Sequence, residues 1–154
     1  MNKKKRLFID LDGVIVDLIA QVEVEFAQIE SGTYKEATDL IDFSETVFLD
    51  AEPIKDALKS VAELEKYFEV YILSTAPWKN TLAWMQKRIW VEKHLPSMYK
   101  RLILTHNKEL LNGDFLIDDR LHNGADEFEG EHLHIFTPKF PDWKSVTDYL
   151  IQNQ

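Results

Sequence analysis

The chain has 154 residues, 45% of them hydrophobic, and sets 18 Lys and Arg against 27 Asp and Glu for a formal charge of −9. A chain of this size buries roughly 70% of the surface it exposes when unfolded, which suits one domain with a real core and argues against intrinsic disorder. The acidic balance excludes a sequence-independent binder of nucleic-acid polymers, and the absence of cysteine excludes disulfides, thiolate zinc sites and cysteine nucleophiles and points to a reducing, cytoplasmic compartment.

In chain order, the basic run Lys3-Lys4-Lys5-Arg6 leads into Leu7-Phe8-Ile9, which ends at Asp10 and is too short for the apolar core of a signal peptide. The run is read as a solvated lead-in to a first strand, and no segment approaches membrane-spanning length. Leu18, Val22, Phe26 and Ile29 form a helical stripe, followed by the break Ser31-Gly32 and a mixed stretch through Phe48. Ile54, Leu58, Val61 and Leu64 predict a second helix with Pro53 in its first turn. A strand at Val70-Tyr71-Ile72-Leu73 precedes a helix marked by Leu82, Met85 and Ile89. Leu102-Ile103-Leu104, Phe115-Leu116-Ile117 and Leu133-His134-Ile135-Phe136 read as three more strands. Trp143, Val146 and Leu150 mark a last helix opened by Pro141-Asp142.

Five such runs with helices between them predict an α/β fold, a doubly wound (Rossmann-like) parallel sheet of about five strands. Residues 14–52 separate the first two strands by far more than a βα unit needs. Their spacing fits equally well a lid over a site or an elongated crossover helix with a surface loop.

In doubly wound sheets ligands collect outside the carboxyl ends of the strands, and the polar residues predicted there converge. The first strand ends in Asp10-Leu11-Asp12-Gly13-Val14, the second in Ser74-Thr75-Ala76-Pro77, the third leads to Asn107-Lys108 and the fourth ends in Asp118-Asp119-Arg120. Residues at i and i+2 of extended backbone leave on the same side, so Asp10 and Asp12 can face one substrate atom, one as nucleophile and one as proton carrier. Gly13 permits a sharp turn, and Asp118-Asp119 complete a hard oxygen site for magnesium. Thr75 and Lys108 supply donors for phosphoryl oxygens. Together these clusters describe phosphoryl transfer through an aspartyl-phosphate, and the four carboxylates account for almost half of the net charge.

The order of these motifs resembles the haloacid dehalogenase superfamily of phosphatases. Within it, DLDGVIVD (Asp10 to Asp17), ILSTAP (Ile72 to Pro77), WVEKH (Trp90 to His94), ILTHNK (Ile103 to Lys108) and FLIDDR (Phe115 to Arg120) resemble the 5′(3′)-deoxyribonucleotidase family. The resemblance implies Asp10 as nucleophile and Asp12 as general acid/base. It implies Mg²⁺ on the carboxylates of Asp10 and Asp118 and the main-chain carbonyl of Asp12, with Asp119 beside it, and Thr75 and Lys108 on the phosphate. It further implies that residues 14–52 are a small helical cap on a phosphatase core of residues 1–13 and 53–154, that the substrate is a deoxynucleoside monophosphate, and that the protein is a homodimer. Vertebrate members carry Phe directly after the position of Asp17, where this chain has Leu18. Leu18, Phe43 and Trp78 are therefore the candidate substrate pocket, with Tyr34 and Phe48 as further aromatic candidates.

Plainer readings stand beside some of these residues. Asp17 is expected to cap the helix that follows it, Arg120 to pair with Asp119, and Trp84 and Trp90 to fill the core or an interface. His132 and His134 alternate on one strand without an acidic partner that would make a zinc site, and Ser74 lacks a His–Asp relay. Two other functions use the same residue types. A phosphatase of another small phosphorylated metabolite would keep the chemistry and change only the cap's selectivity. A receiver-like phospho-accepting domain would place its acidic pair after the first strand and its Lys at the last, whereas here the Asp-Asp pair falls on the fourth.

Overall fold

A computed structural model describes residues 3–154. Five parallel strands, β1 (Arg6–Ile9), β2 (Glu69–Ser74), β3 (Leu102–Leu104), β4 (Phe115–Asp118) and β5 (Glu131–His134), form one sheet in the order β3-β2-β1-β4-β5. Ile9 lies level with Ile72 on one side and Ile117 on the other. The chain thus winds outward from β1 in one direction and then returns to wind in the other. That reversal opens a crevice between the carboxyl ends of β1 and its neighbours, and the site lies there.

Pleating divides the core. Leu7, Ile9, Ile72, Ile117 and Leu133 pack against the helices α4 (Ala57–Leu64), α5 (Thr81–His94) and α6 (Trp143–Gln152). Phe8, Leu73 and Leu116 face the other way and are covered by Ala125 and Phe128 from a 3₁₀ turn and its flank. The three long core helices therefore share one face, and short turns close the other. Helix α6 begins as expected, with a capping box between Asp142 and Ser145. Trp143 and Trp90 are core residues whose indole N–H groups donate to the carbonyls of Val14 and Ala51.

Three sequence expectations need correction. Helix α4 starts at Ala57, and Pro53 lies outside it, bridged to Val16. Asp17 N–H donates to the Glu52 carbonyl at 2.9 Å and Ile54 N–H to the Ile15 carbonyl at 2.7 Å, so Pro53, with no N–H to give, sits between two bonds. The strand expected at Leu133–Phe136 ends at His134, because Phe136 takes a left-handed turn conformation and bonds to the Phe140 carbonyl instead. On α5 the apolar stripe Leu82, Met85, Ile89 faces outward, and the buried face carries Ala83, Gln86, Lys87, Trp90 and Val91. Gln86 is at home there because its amide donates to the Glu45 carbonyl at 2.7 Å.

The paired backbone at Ile15–Asp17 and Glu52–Ile54 brings the two ends of the long intervening segment together. Beyond that neck lie α1 (Leu18–Gln28), capped by Asp17, and the short helices α2 (Asp39–Phe43) and α3 (Val47–Asp50). They bury Leu18, Val22, Leu40, Val47 and Phe48 in a cluster of their own that also takes in Ala76 and Ala83. Asn80 caps α5 and donates to the carbonyls of Ile41 and Ser44 at 3.1 and 2.9 Å. Among the described residues no helix is long and apolar enough to cross a membrane.

Asn80→Ala removes a cap and strands two carbonyls, so urea unfolding should show a loss of about 2 kcal/mol. A change within about 0.5 kcal/mol, the range of ordinary surface substitutions, would contradict this fastening.

Candidate active site

Asp10 follows β1 directly, anchored by its N–H on the Ile117 carbonyl at 2.9 Å, and its side chain is buried. The chain then folds back tightly, with Ile15 and Val16 both donating to the Leu11 carbonyl. Gly13 makes the turn possible at φ +76°, and a Cβ there would lie 2.5 Å from Asp119 Oδ2. Glycine is therefore what lets the loop after β1 press against the acidic end of β4.

Asp118, the last residue of β4, accepts from Arg120 N–H at 3.0 Å through one oxygen and from Lys108 at 2.6 Å through the other. Lys108 also donates to Asp10 Oδ1 at 3.0 Å, so one buried ammonium bridges the two strand ends. Asp119 comes within 3.8 Å of Arg120, yet its Oδ1 is buried with no hydrogen-bond partner. Ligand atoms of Asp10, Asp118 and Asp119 lie within 4.8 Å of one another. Three converging carboxylates with an orphaned buried oxygen fit a hard divalent cation.

The carboxylate of Asp12 stands outside that trio. It is paired with Lys87, a buried lysine of α5 whose Nζ also donates to Ser74 Oγ at 3.1 Å. The group of carboxylates that could hold a metal therefore lacks Asp12, whose main-chain carbonyl is the ligand the family resemblance implies. Lys87 was not among the sequence candidates. Its only signal was a charged residue on the face shared with Ala83, Trp90 and Val91, and that face is recognisable as buried only once the opposite stripe is known to be exposed.

Electrostatics follow from this packing. Burial pushes the Asp10 carboxyl up to about 7, with Lys108 opposing the rise and the carboxylates of Asp118 and Asp12 adding to it. Burial likewise raises Asp119, helped by Asp118 and only partly offset by Arg120. For Lys108 burial acts downward, but Asp10 and Asp118 outweigh it and hold the ammonium above the usual lysine value. His132 and His134 bring Nε2 to the main-chain carbonyls of Asp118 and Asp119 at 3.3 and 2.8 Å, supporting the acidic pair from behind.

A cavity of about 330 Å³ opens above these groups, with Asp10, Asp12, Lys108 and Asp118 at its floor. Leu18, Ile41, Phe48 and Pro77 form an apolar wall, and Trp78, His106, Arg120, His122 and Asn123 form the rim. Thr75 also lines it, but its hydroxyl donates to the Thr105 carbonyl at 2.7 Å. Of the expected pocket residues, Leu18 is in the wall and Trp78 is on the rim, 79% exposed. Phe43 is not part of it: at the end of α2 it stacks on Tyr34, 6.2 Å between ring centres, and Phe48 of α3 takes the place on the wall.

The chain has clear relatives. The family model described as 5′ nucleotidase, deoxy (pyrimidine), cytosolic type C protein matches residues 39–140. A Vibrio phage KVP40 protein provisionally named 5′(3′)-deoxyribonucleotidase is 45% identical over 152 residues, spanning 96% of this chain and 85% of the relative. The human 5′(3′)-deoxyribonucleotidase of cytosolic type is 32% identical over 146 residues, covering 78% and 73%. Among solved structures, the haloacid dehalogenase-type hydrolase YfnB of Bacillus subtilis, determined with magnesium bound, superimposes with a TM-score of 0.63 at 13% identity, over 99% of this chain and all of that one.

Because Asp10 ionises near pH 4 unfolded and near 7 folded, the metal-free protein should lose stability as pH rises through that window. Asp10→Asn removes the effect. In EDTA the stability of the variant relative to the parent protein, measured in urea, should rise by about 2–4 kcal/mol between pH 4 and 8, and a difference that does not change with pH would contradict the buried, charge-crowded Asp10.

Proposed function

The chain belongs to the 5′(3′)-deoxyribonucleotidase family of haloacid dehalogenase-type phosphatases, and we propose on that premise that it hydrolyses deoxynucleoside monophosphates through an aspartyl-phosphate on Asp10. The observation that carries this reading is the position of Asp10. It lies at the floor of the cavity, bridged by Lys108 to Asp118 and beside the unpartnered oxygen of Asp119.

An Asp10 oxygen attacks phosphorus as the ester P–O bond breaks, and Asp12 delivers a proton to the departing nucleoside oxygen. Asp12 then takes a proton from the water that attacks the phosphorus of the acyl-phosphate. Inorganic phosphate leaves and the Asp10 carboxylate is restored. Lys108 stays on Asp10 and Asp118 and offsets the negative charge that gathers on the phosphoryl oxygens. The carboxylates of Asp10, Asp118 and Asp119 would hold Mg²⁺, which when bound supplies positive charge for the phosphate dianion. In this reading Thr75 orders the loop after β2 by holding the Thr105 carbonyl, and its hydroxyl oxygen remains an acceptor toward the cavity.

Residues 14–52 act as a small cap on a core of residues 1–13 and 53–154. Support comes from the paired neck at Val16 and Pro53 and from the separate apolar cluster around Leu40 and Phe48. The wall of Leu18, Ile41 and Phe48 offers an apolar surface to the nucleoside, and Trp78 flanks the entrance.

With Mg²⁺, dUMP and dTMP should be turned over faster than sugar phosphates or phosphoamino acids, EDTA should abolish the reaction, and Asp10→Asn should be inactive. Turnover of sugar phosphates without that of deoxynucleotides would overturn the substrate assignment. Lys108→Ala should lower kcat/KM by a factor equivalent to roughly 2–4 kcal/mol, and an unchanged value would remove Lys108 from the reaction.

A further inference from the structure

Lys87 lies on the buried face of α5, reaches Asp12 after β1 and Ser74 at the end of β2, and is 1% exposed. A lysine so placed is costly unless every donor is used, and an ammonium has three. One N–H meets Asp12 Oδ2, one meets Ser74 Oγ at 3.1 Å, and the third side of the ammonium faces the ring of Phe48, 4.7 Å from its centre. Each partner comes from a different element: the loop after β1, the end of β2, and α3 of the inserted segment. A side chain needed only to fill this space would be Leu or Met, which require no partners.

We propose that Lys87 is the positioning residue for Asp12, and that it ties the orientation of the proton-carrying carboxylate to the seating of the inserted segment through Phe48. An ammonium only donates hydrogen bonds, so the oxygen it holds, Oδ2, presents no proton on that side. Oδ1 is left as the oxygen that carries the proton to the leaving group and later receives one from water. Phe48 lines the cavity on one face and meets Lys87 with its ring, so the wall that touches the substrate and the group that fixes the acid share one contact. Gln86 and Asn80 fasten the same segment to α5 through the carbonyls of Glu45, Ile41 and Ser44. The segment is thereby held to the helix that aims Asp12, and its placement is coupled to catalysis.

The inference rests on Asp12 as the acid/base group, and leaving-group dependence tests it. Formation of the aspartyl-phosphate from dUMP needs a proton on the departing alkoxide, whereas p-nitrophenolate departs without one. In kcat/KM, which reports this first half-reaction, Lys87→Met should lose at least tenfold more on dUMP than on p-nitrophenyl phosphate. Lys87→Arg should restore most of the difference, because it keeps the donors. Equal losses on the two esters, or no loss on either, overturn the proposal. Should Lys87→Met not fold, Ser74→Ala, which withdraws one of the three anchors, should show the same selectivity at smaller size, and its absence is equally decisive. Asp12→Asn measured in parallel separates the two claims. A selective loss there but not in Lys87→Met defeats only the role of Lys87, and none in Asp12→Asn defeats the mechanism beneath it.

Discussion

Four carboxylates crowded at the ends of two adjacent strands repel one another, and the arrangement of the molecule around the cavity answers that repulsion. Lys108 lies between Asp10 and Asp118, and Lys87 holds Asp12. Two buried ammonium groups against four carboxylates leave the cluster negative before any phosphate arrives, and Arg120 is too exposed and too far from Asp119 to cancel the rest. The residue left over is Asp119, whose buried oxygen lacks a partner. The converging carboxylates of Asp10, Asp118 and Asp119 fit a divalent cation there, and burial, reinforced by the neighbouring carboxylates, raises both Asp10 and Asp119.

Topology is what creates the crowding. In the order β3-β2-β1-β4-β5, the neighbours of β1 are β2 and β4, so Asp10, Thr75 and Asp118, at or just past the ends of these strands, lie side by side at one edge. Gly13 lets two of these loops touch, and the imidazoles of His132 and His134 brace the acidic pair from β5. The inserted segment leaves and re-enters the core at one hydrogen-bonded neck and is fastened to α5 through Gln86 and Asn80, and its Phe48 meets Lys87, the partner of Asp12.

Much of this could be read from the residues. The strand ends announce themselves because Asp10, Asp12, Thr75, Lys108, Asp118 and Asp119 each follow a short apolar run, and α/β topology sends the ends of such runs to one edge. What could not be read depended on neighbours far along the chain. Leu82, Met85 and Ile89 have better helical apolar spacing than the residues that α5 buries, but Gln86 and Lys87 find partners at Glu45 and Asp12 that no local pattern encodes. Phe43 and Phe48 are both aromatic and five residues apart. The stacking of Phe43 on Tyr34 and the turn between α2 and α3 decide which of them reaches the cavity. Pro53 suits a helix start as well as a neck, and only the pairing with Val16 settles it.

The central claim, that the crowded carboxylate after β1 is the group that becomes phosphorylated, is tested most directly by trapping. The protein, mixed with Mg²⁺ and dUMP labelled in the phosphoryl group, is quenched in acid within the first turnovers and reduced with borohydride, which converts an aspartyl-phosphate to homoserine. Peptide mass spectrometry then locates the reduced residue. Homoserine is expected at position 10 alone, dependent on substrate. Homoserine at any other aspartate, or phosphate release with no acyl-phosphate formed on the protein, would contradict it.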